Sequence, residues 1–134
     1  MDIPRILLAA GASGSGKTLI TCGLLQALVN RKMKVASFKC GPDYIDPMFH
    51  REVLGIDSEN LDLYFCDRER LKERFMHHAE GAELVVTEGV MGYYDGISLD
   101  SDQASTYDVA RTLGLPVILF SFIVLTVIFG FLIH

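Results

Sequence analysis

The segment Gly11-Ala12-Ser13-Gly14-Ser15-Gly16-Lys17-Thr18 decides the fold, because it fits the phosphate-binding pattern G-x-x-x-x-G-K-[ST] at every fixed position. The apolar run 5–10 before it is typical of a buried strand, and residues 19–28 after it are typical of a helix. A glycine loop between a strand and a helix points backbone N–H groups at an anion. The segment therefore predicts a site for a nucleoside triphosphate; the alternative is a chance Gly/Ser-rich turn.

Each residue type in this loop suits a phosphate ligand. Glycine lets the backbone curl around the phosphates through conformations that a Cβ would penalise. Lys17 is expected to reach the β- and γ-phosphates as a point charge, and the Thr18 hydroxyl is expected to be a magnesium ligand. The predicted cofactors are ATP and Mg²⁺. The predicted cofactor-binding residues are Gly11, Ser13, Gly14, Ser15, Gly16, Lys17 and Thr18.

The length and composition of the chain limit the classes of protein to which it can belong. A chain of 134 residues is one domain at most. Its net charge of −5 leaves no basic footprint for nucleic acid. The three cysteines have no metal-like spacing and are interpreted as reduced thiols of a cytoplasmic protein. The chain starts Met1-Asp2-Ile3-Pro4 and enters a strand at once, so no signal peptide is expected.

Apolar and charged segments alternate along the chain. Further strands are predicted at 34–39, 83–87 and 116–119, and further helices at 48–54, 68–80 and 101–113. Asp46 is the predicted N-cap of the helix at 48–54, with Pro47 at its start, and Asp67 is the predicted N-cap of the helix at 68–80. Strands that alternate with helices predict the α/β class, here a P-loop NTPase-type parallel sheet with flanking helices.

Three polar segments follow predicted strands, at the edge where open α/β sheets bind ligands. They are Lys39-Cys40-Gly41-Pro42-Asp43-Tyr44-Ile45-Asp46-Pro47, Asn60-Leu61-Asp62, and Thr87-Glu88-Gly89-Val90-Met91-Gly92-Tyr93-Tyr94-Asp95-Gly96. Glu88 ends a buried strand and needs a partner, which magnesium near Thr18 would supply. The alternatives are caps or turns for Asp43 and Asp46, and a turn for 60–62. His50 is interpreted as a surface histidine, with contact to a substrate carboxylate as the alternative.

Together these segments resemble the N-terminal synthetase domain of the cobyrinic acid a,c-diamide synthase family. The phosphate loop is shared by many families, whereas Gly41-Pro42-Asp43-Tyr44-Ile45-Asp46-Pro47 is far more specific. The resemblance covers about residues 3–119. The similar nickel-sirohydrochlorin a,c-diamide synthases are not separated by these motifs. Membrane-associated partitioning ATPases are disfavoured, because Ala12 and Ser13 stand where those proteins carry an extra lysine.

The resemblance implies an ATP-dependent amidoligase, a carbon–nitrogen ligase. ATP would phosphorylate a corrinoid carboxylate, and ammonia from a glutaminase domain that this chain lacks would displace the phosphate. A homodimer is left open. The implied catalytic residues are Lys17, Asp43, Asp46 and Glu88, the implied metal ligands are Thr18, Asp46 and Glu88, and the implied substrate residues are Lys39, Tyr44 and Asp95. A catalytically dead nucleotide-binding remnant is the second hypothesis.

Residues 120–134 depart from the family pattern. We expect residues 1–119 to form the ATP-binding domain, and the apolar tail 120–134 to result from a truncated or frame-shifted reading frame. The alternative is a membrane tether, because a helix of about 21 residues from Leu113 would span roughly 31 Å, close to the hydrocarbon core of a bilayer.

Overall fold

The computed structural model describes residues 2–11, 16–90, 92–94, 96 and 104–120. Within them, five parallel strands form one sheet in the order β3-β2-β4-β1-β5. The strands are β1 (Arg5–Ala10), β2 (Val35–Cys40), β3 (Asp57–Leu61), β4 (Leu84–Glu88) and β5 (Val117–Phe120). The helices are α1 (Lys17–Asn30), α2 (Ile45–Glu52), α3 (Arg68–Ala79) and α4 (Thr106–Leu113). The predicted α/β class with a parallel sheet is confirmed.

The register of the strands brings their carboxyl ends to one edge. Glu88 at the end of β4 pairs with Leu8 of β1 on one side and with Lys39 of β2 on the other. Lys39 in turn pairs with Asn60 of β3. Because all pairings are parallel, the polar residues at the strand ends of β2, β3 and β4 become neighbours.

Both faces of the sheet are buried. On one face, Phe38 stacks on Phe75 of α3 with ring centroids 4.9 Å apart, and Val109 of α4 joins the same apolar cluster. On the other face, Leu8 and Val86 pack with Leu25 of α1. Strands covered on both faces are apolar at nearly every position, which explains the apolar runs at 6–10 in β1 and 84–86 in β4.

Strand β3 was missed by the sequence analysis. Its sequence, Asp57-Ser58-Glu59-Asn60-Leu61, has one apolar residue, yet the strand pairs with β2 along its whole length. The alternative that 60–62 form a turn is therefore wrong for Asn60 and Leu61. An edge strand needs only one neighbour, so pairing with β2 outweighs the low strand propensity of Asp57 and Asn60.

Helix α2 begins earlier than predicted, at Ile45, with Tyr44 as its N-cap. The assignment of Asp46 as N-cap is therefore wrong. Asp43 instead makes the side-chain hydrogen bond to the backbone at the start of α2, since its Oδ1 accepts from the Ile45 N–H at 3.0 Å. This frees the Asp46 side chain to turn toward Lys39.

Helix ends elsewhere are set by side-chain caps. Asp67 caps α3 as predicted, and its Oδ1 accepts from the Arg70 N–H at 2.8 Å. Helix α4 is shorter than its predicted span, because Ser105 caps it and accepts from the Asp108 N–H at 3.1 Å. Residues 101–103 of that predicted helix lie outside the described residues.

Helix α1 contains a glycine, Gly23, where an added Cβ would meet no atom within 4 Å.

In the described part of the chain, no helix is both long enough and apolar enough to cross a membrane. The predicted tail has its first residue, Phe120, in β5, and residues 121–134 lie outside the described residues.

Candidate functional site

The phosphate loop joins β1 to α1 at the carboxyl edge of the sheet. Gly16 precedes α1 with φ 81°, a left-handed conformation that glycine adopts without strain. Lys17 is the first residue of α1 and is buried. Gly11 follows β1 directly, whereas the predicted residues Ser13, Gly14 and Ser15 lie outside the described residues, as does Asp95.

Four side chains meet beside this loop and form what we call the carboxylate cluster: Thr18, Lys39, Asp46 and Glu88. Lys39 Nζ lies 2.9 Å from Asp46 Oδ2 and 3.2 Å from Glu88 Oε1. Thr18 Oγ1 donates to Glu88 Oε1 at 3.1 Å and lies 3.4 Å from Asp46 Oδ2. The cluster thus brings together residues from α1, β2, α2 and β4.

Glu88 is the least satisfied member of the cluster. Its side chain is fully buried, and its Oε2 atom has no hydrogen-bond partner among the residues that the structure describes. Burial, reinforced by the negative charge of Asp46, raises the pKa of Glu88 in spite of the neighbouring Lys39. A buried carboxylate with one unpartnered oxygen is costly, and such a group is expected at a site that binds a cation.

Lys39 and Asp46 stabilise each other's charged forms. Burial disfavours the Lys39 ammonium group, but the charge of Glu88 and the hydrogen bond to Asp46 outweigh it and raise the pKa of Lys39. Burial likewise disfavours the Asp46 carboxylate, and the hydrogen bond and charge of Lys39 outweigh it and lower the pKa of Asp46. Both groups are therefore charged at neutral pH.

The loop between β2 and α2 is held by Asn60. The Asn60 amide donates to the Gly41 carbonyl at 2.8 Å and to the Asp43 carbonyl at 2.7 Å. Asp43 Oδ2 consequently lies 3.8 Å from Lys39 Nζ, at the margin of the cluster. Tyr44 is exposed, so its ring is accessible to a ligand.

The backbone after Glu88 is fixed by α4. Gly89 donates its N–H to the Leu8 carbonyl at 2.8 Å, and a Cβ at this position would lie 2.7 Å from Thr106 Cγ2. The Thr106 hydroxyl accepts from the Val90 N–H at 3.0 Å and donates to the Val90 carbonyl at 3.1 Å. Glycine is required at position 89 because α4 approaches the chain so closely.

None of the three cysteines in the described part of the chain has the lowered pKa of a nucleophilic thiol. Cys40 is buried, and burial raises its pKa to about 12. Burial and the negative charge of Glu88 raise the pKa of Cys22. Burial also raises the pKa of Cys66. All three thiols are therefore protonated at neutral pH.

Three residues were undervalued by the sequence analysis. His50 is fully buried, so its interpretation as a surface histidine is wrong. Its spacing of four residues from Asp46 was the available signal, because it places both side chains on one face of a helix. Asn60 was predicted only as part of the polar segment 60–62 at the ligand-binding edge, without a role of its own. Nothing in the sequence identified Thr106, since its role depends on contact with Gly89 and Val90.

The donor set of the cluster fits a magnesium ion. Mg²⁺ prefers hard oxygen ligands and is usually held by one or two carboxylates together with phosphate oxygens. Such oxygens come from Asp46 and Glu88, which lie 3.4 and 3.1 Å from the Thr18 hydroxyl oxygen, and Glu88 Oε2 is an acceptor without a partner among the described residues.

A parallel α/β sheet with a phosphate-loop sequence and an acidic cluster at its carboxyl edge defines the class of P-loop nucleotide-binding domains. The family model CbiA, described as the CobQ/CobB/MinD/ParA nucleotide binding domain, matches residues 6–126. The chain belongs to this family and carries a nucleotide-binding domain.

Curated relatives have similar sequences. The chain is 47% identical over 119 residues to a cobyrinate a,c-diamide synthase of Picrophilus torridus, covering 89% of this chain and 27% of the relative. It is 52% identical over 114 residues to a protein of the same name from Gloeobacter violaceus, covering 85% and 25%. It is 46% identical over 117 residues to a hydrogenobyrinate a,c-diamide synthase of Streptomyces coelicolor, covering 87% and 24%. The chain thus spans about a quarter of the length of these relatives.

Proposed function

We propose that this chain binds Mg²⁺–ATP and provides the carboxylate-activating half of a cobyrinate a,c-diamide synthase reaction. The carboxylate cluster carries the proposal, because it places Asp46, Glu88 and Thr18 together beside Lys17. The names of the curated relatives support a corrinoid as the substrate. They favour it over the nickel-sirohydrochlorin alternative.

In this proposal each residue has a distinct task. Lys17 binds the β- and γ-phosphates, and Thr18, Asp46 and Glu88 hold the metal. Magnesium neutralises charge on the phosphates when bound. Lys39 lies within the cluster and Asp43 lies 3.8 Å from it at the margin, and both orient the transferred phosphoryl group or the substrate carboxylate. Tyr44 is exposed at the start of α2 and offers a surface to the substrate ring. Asp95 remains a predicted substrate residue.

The proposed reaction has two steps. A carboxylate oxygen of the corrinoid attacks the γ-phosphorus, the bond from that phosphorus to the β–γ bridging oxygen breaks, and ADP leaves. Ammonia then attacks the acyl carbon, the carbon–oxygen bond to phosphate breaks, and the amide forms with loss of a proton. The first step needs positioning and charge neutralisation rather than a protein nucleophile, which agrees with the protonated thiols of Cys22 and Cys40.

The partners follow from the same resemblance. It implies that glutamine is the source of ammonia, through a glutaminase domain, and free ammonium can replace that source in an assay. We also infer a cytoplasmic location from the three free thiols. The association of two copies of the chain stays a prediction.

Calorimetric titration with ATP tests the nucleotide half of the proposal. We expect binding that depends on magnesium, and we expect Lys17→Ala to weaken it by roughly ten- to a hundredfold, the cost of a lost hydrogen bond to a charged group. Lys72→Ala is the matched control, since Lys72 is a half-exposed lysine of α3 that pairs only with Glu69 among the described residues, at 3.5 Å. Absence of magnesium-dependent binding by the folded wild-type chain would refute the proposal.

Mass spectrometry of a corrinoid incubated with the chain tests the chemical half. Cobyrinic acid, ATP, magnesium and ammonium chloride are supplied, and we expect amidated corrinoid with one ADP released for each amide formed. Hydroxylamine in place of ammonium should trap the acyl phosphate as a hydroxamate. ATP binding without either product would instead support the catalytically dead remnant.

A further inference from the structure

His50 lies beneath the carboxylate cluster, on the inner face of α2. Its side chain is fully buried, so no substrate reaches it in this fold. It is the fourth residue after Asp46 on the same helix, which places the two side chains on one helical face. A residue in this place acts on the site only through the element that carries it.

Two serines of the sheet meet the imidazole ring. His50 Nδ1 lies 3.1 Å from Ser37 Oγ of β2 and 3.3 Å from Ser58 Oγ of β3. Ser37 and Ser58 are register partners, so they stand side by side on the same face of the sheet. Both hydroxyl groups are buried, and His50 therefore ties α2 to two strands at one point.

The same face of the sheet leads directly to the cluster. Two residues beyond the serines, on the same side of their strands, stand Lys39 of β2 and Asn60 of β3, which are also register partners. Lys39 contacts Asp46, and Asn60 holds the loop before α2. Two register pairs of polar residues thus hold α2 and the loop before it to β2 and β3. Lys39 and Asn60 form the pair at the cluster, and Ser37 and Ser58, which contact His50, form the pair two residues farther from it.

The charged groups around His50 come from two elements. Asp46 and Arg51 lie on α2, and Lys39 lies on β2. Arg51 adds a bond of its own, from Nη1 to the Ser58 carbonyl at 2.7 Å, and the His50 carbonyl accepts from the Ile56 N–H at 2.9 Å. Burial lowers the pKa of His50, so the ring is neutral at neutral pH and its bonds to the serines are bonds between neutral groups.

We propose that His50 is a positioning residue that sets the place of Asp46 in the metal-binding cluster by fixing α2 to Ser37 and Ser58. This inference rests on the proposed function, since Asp46 matters as a ligand only if the cluster holds magnesium. Groups that orient metal ligands typically change metal affinity by about ten- to a hundredfold when they are removed.

The test compares variants that remove the contact with one that keeps part of it. His50→Leu fills much of the same space and removes the nitrogen, whereas His50→Asn keeps a polar atom near the position of Nδ1. The double variant Ser37→Ala/Ser58→Ala removes the other side of the contact. His78→Leu is the matched control, because His78 is a second buried histidine that lies on α3 and packs against Phe38 on the opposite face of the sheet.

Two measurements separate positioning from stability. The first is the ratio of the ATP dissociation constants without and with magnesium. We expect His50→Leu to reduce this ratio by about tenfold, His50→Asn to restore part of it, and the constant without magnesium to change little. Added to His50→Leu, the serine substitutions should have little further effect, as expected for partners in one contact.

The second measurement is the ¹³C chemical shift of the Asp46 side-chain carboxyl in the ligand-free protein at pH 7. We expect it to move in the His50 and serine variants and to stay at the wild-type value in His78→Leu. If the wild type binds no nucleotide, the proposed function fails and this shift alone decides the positioning role. An unchanged shift in folded His50→Leu or in the folded serine variant, or an equal change in His78→Leu, would overturn the inference.

Discussion

Glu88 and Asp108 are both buried carboxylates, one at the end of β4 and the other in the first turn of α4. Their surroundings shift the two pKa values in opposite directions. Asp108 Oδ1 accepts from Arg68 Nη2 at 2.7 Å, and its Oδ2 accepts from the Ala104 N–H at 2.9 Å. Burial opposes the charge of Asp108, but these bonds outweigh it and lower its pKa, whereas the pKa of Glu88 is raised.

The difference separates a buried charge that stabilises the fold from one that we propose serves a binding site. Both oxygens of Asp108 are bonded, and they hold the turn before α4 in place. Glu88 shares Lys39 with Asp46 and keeps one oxygen without a partner among the described residues. An unsatisfied buried carboxylate calls for an explanation, and beside a phosphate loop a bound cation is one that burial alone would not suggest.

Removal of Lys39 should give the largest effect on stability. Lys39→Met removes the ammonium group that contacts both Asp46 and the buried Glu88, and we expect a loss of about 3–5 kcal/mol of unfolding free energy, as for a broken buried ion pair. Urea denaturation at pH 7 measures it. Lys72→Met, in the half-exposed pair with Glu69, should cost less than about 1 kcal/mol. Equal losses in the two variants would contradict the role of Lys39.

Replacing Asp108 or Glu88 with its amide should show most clearly how the two carboxylates differ in their effects on stability and on ATP binding. Asp108→Asn loses hydrogen bonds made to a charged group and should cost about 1.5–3 kcal/mol, with no change in magnesium-dependent ATP binding. Glu88→Gln removes a charge that burial disfavours, so the unfolding free energy should stay the same or rise, while the magnesium dependence is lost. Denaturation and calorimetry on the same two variants provide the readouts. Loss of stability in Glu88→Gln with retained magnesium dependence would reverse our assignment.

Asp108 and Glu88 should change the stability of the protein with pH in opposite directions. Each contributes up to about 1.4 kcal/mol for each unit by which its pKa is shifted. Asp108 has a lowered pKa, so it stabilises the fold above the ordinary value of about 3.9 and loses this effect as pH falls through its folded value. Glu88 has a raised pKa, so the fold weakens as pH rises from about 4.3 to its folded value.

Urea midpoints measured between about pH 3 and pH 7 check both signs. Asp108→Asn should flatten the acid side of the profile, and Glu88→Gln should remove the decline above about pH 4.3. A profile that neither substitution alters would show that other groups control the acid stability.

The sequence predicted those parts of the molecule in which local pattern and tertiary structure agree. The strand of residues 5–10, helix α1 and the cap Asp67 were recognisable because apolar runs and capping residues act locally. Glu88 was recognisable because a charge directly after a buried strand needs a partner. Asp46 was recognised as a site residue, although its assignment as a cap was wrong.

The remainder depends on contacts between distant residues. Strand β3 has few apolar residues, and it exists because β2 offers it a partner. His50 is buried because two serines from different strands meet it, which no local pattern shows. The ion pair of Asp108 was not predicted, since its partner Arg68 stands forty positions earlier in the chain.

Gly23 of α1 has a practical consequence for all of these experiments. The space beside it is open, and glycine inside a helix is less favourable than alanine by about 1 kcal/mol. Gly23→Ala should therefore give a sturdier parent protein without touching the phosphate loop or the carboxylate cluster. Variants that would fall below the threshold for folding in the original chain can be purified and compared in that background.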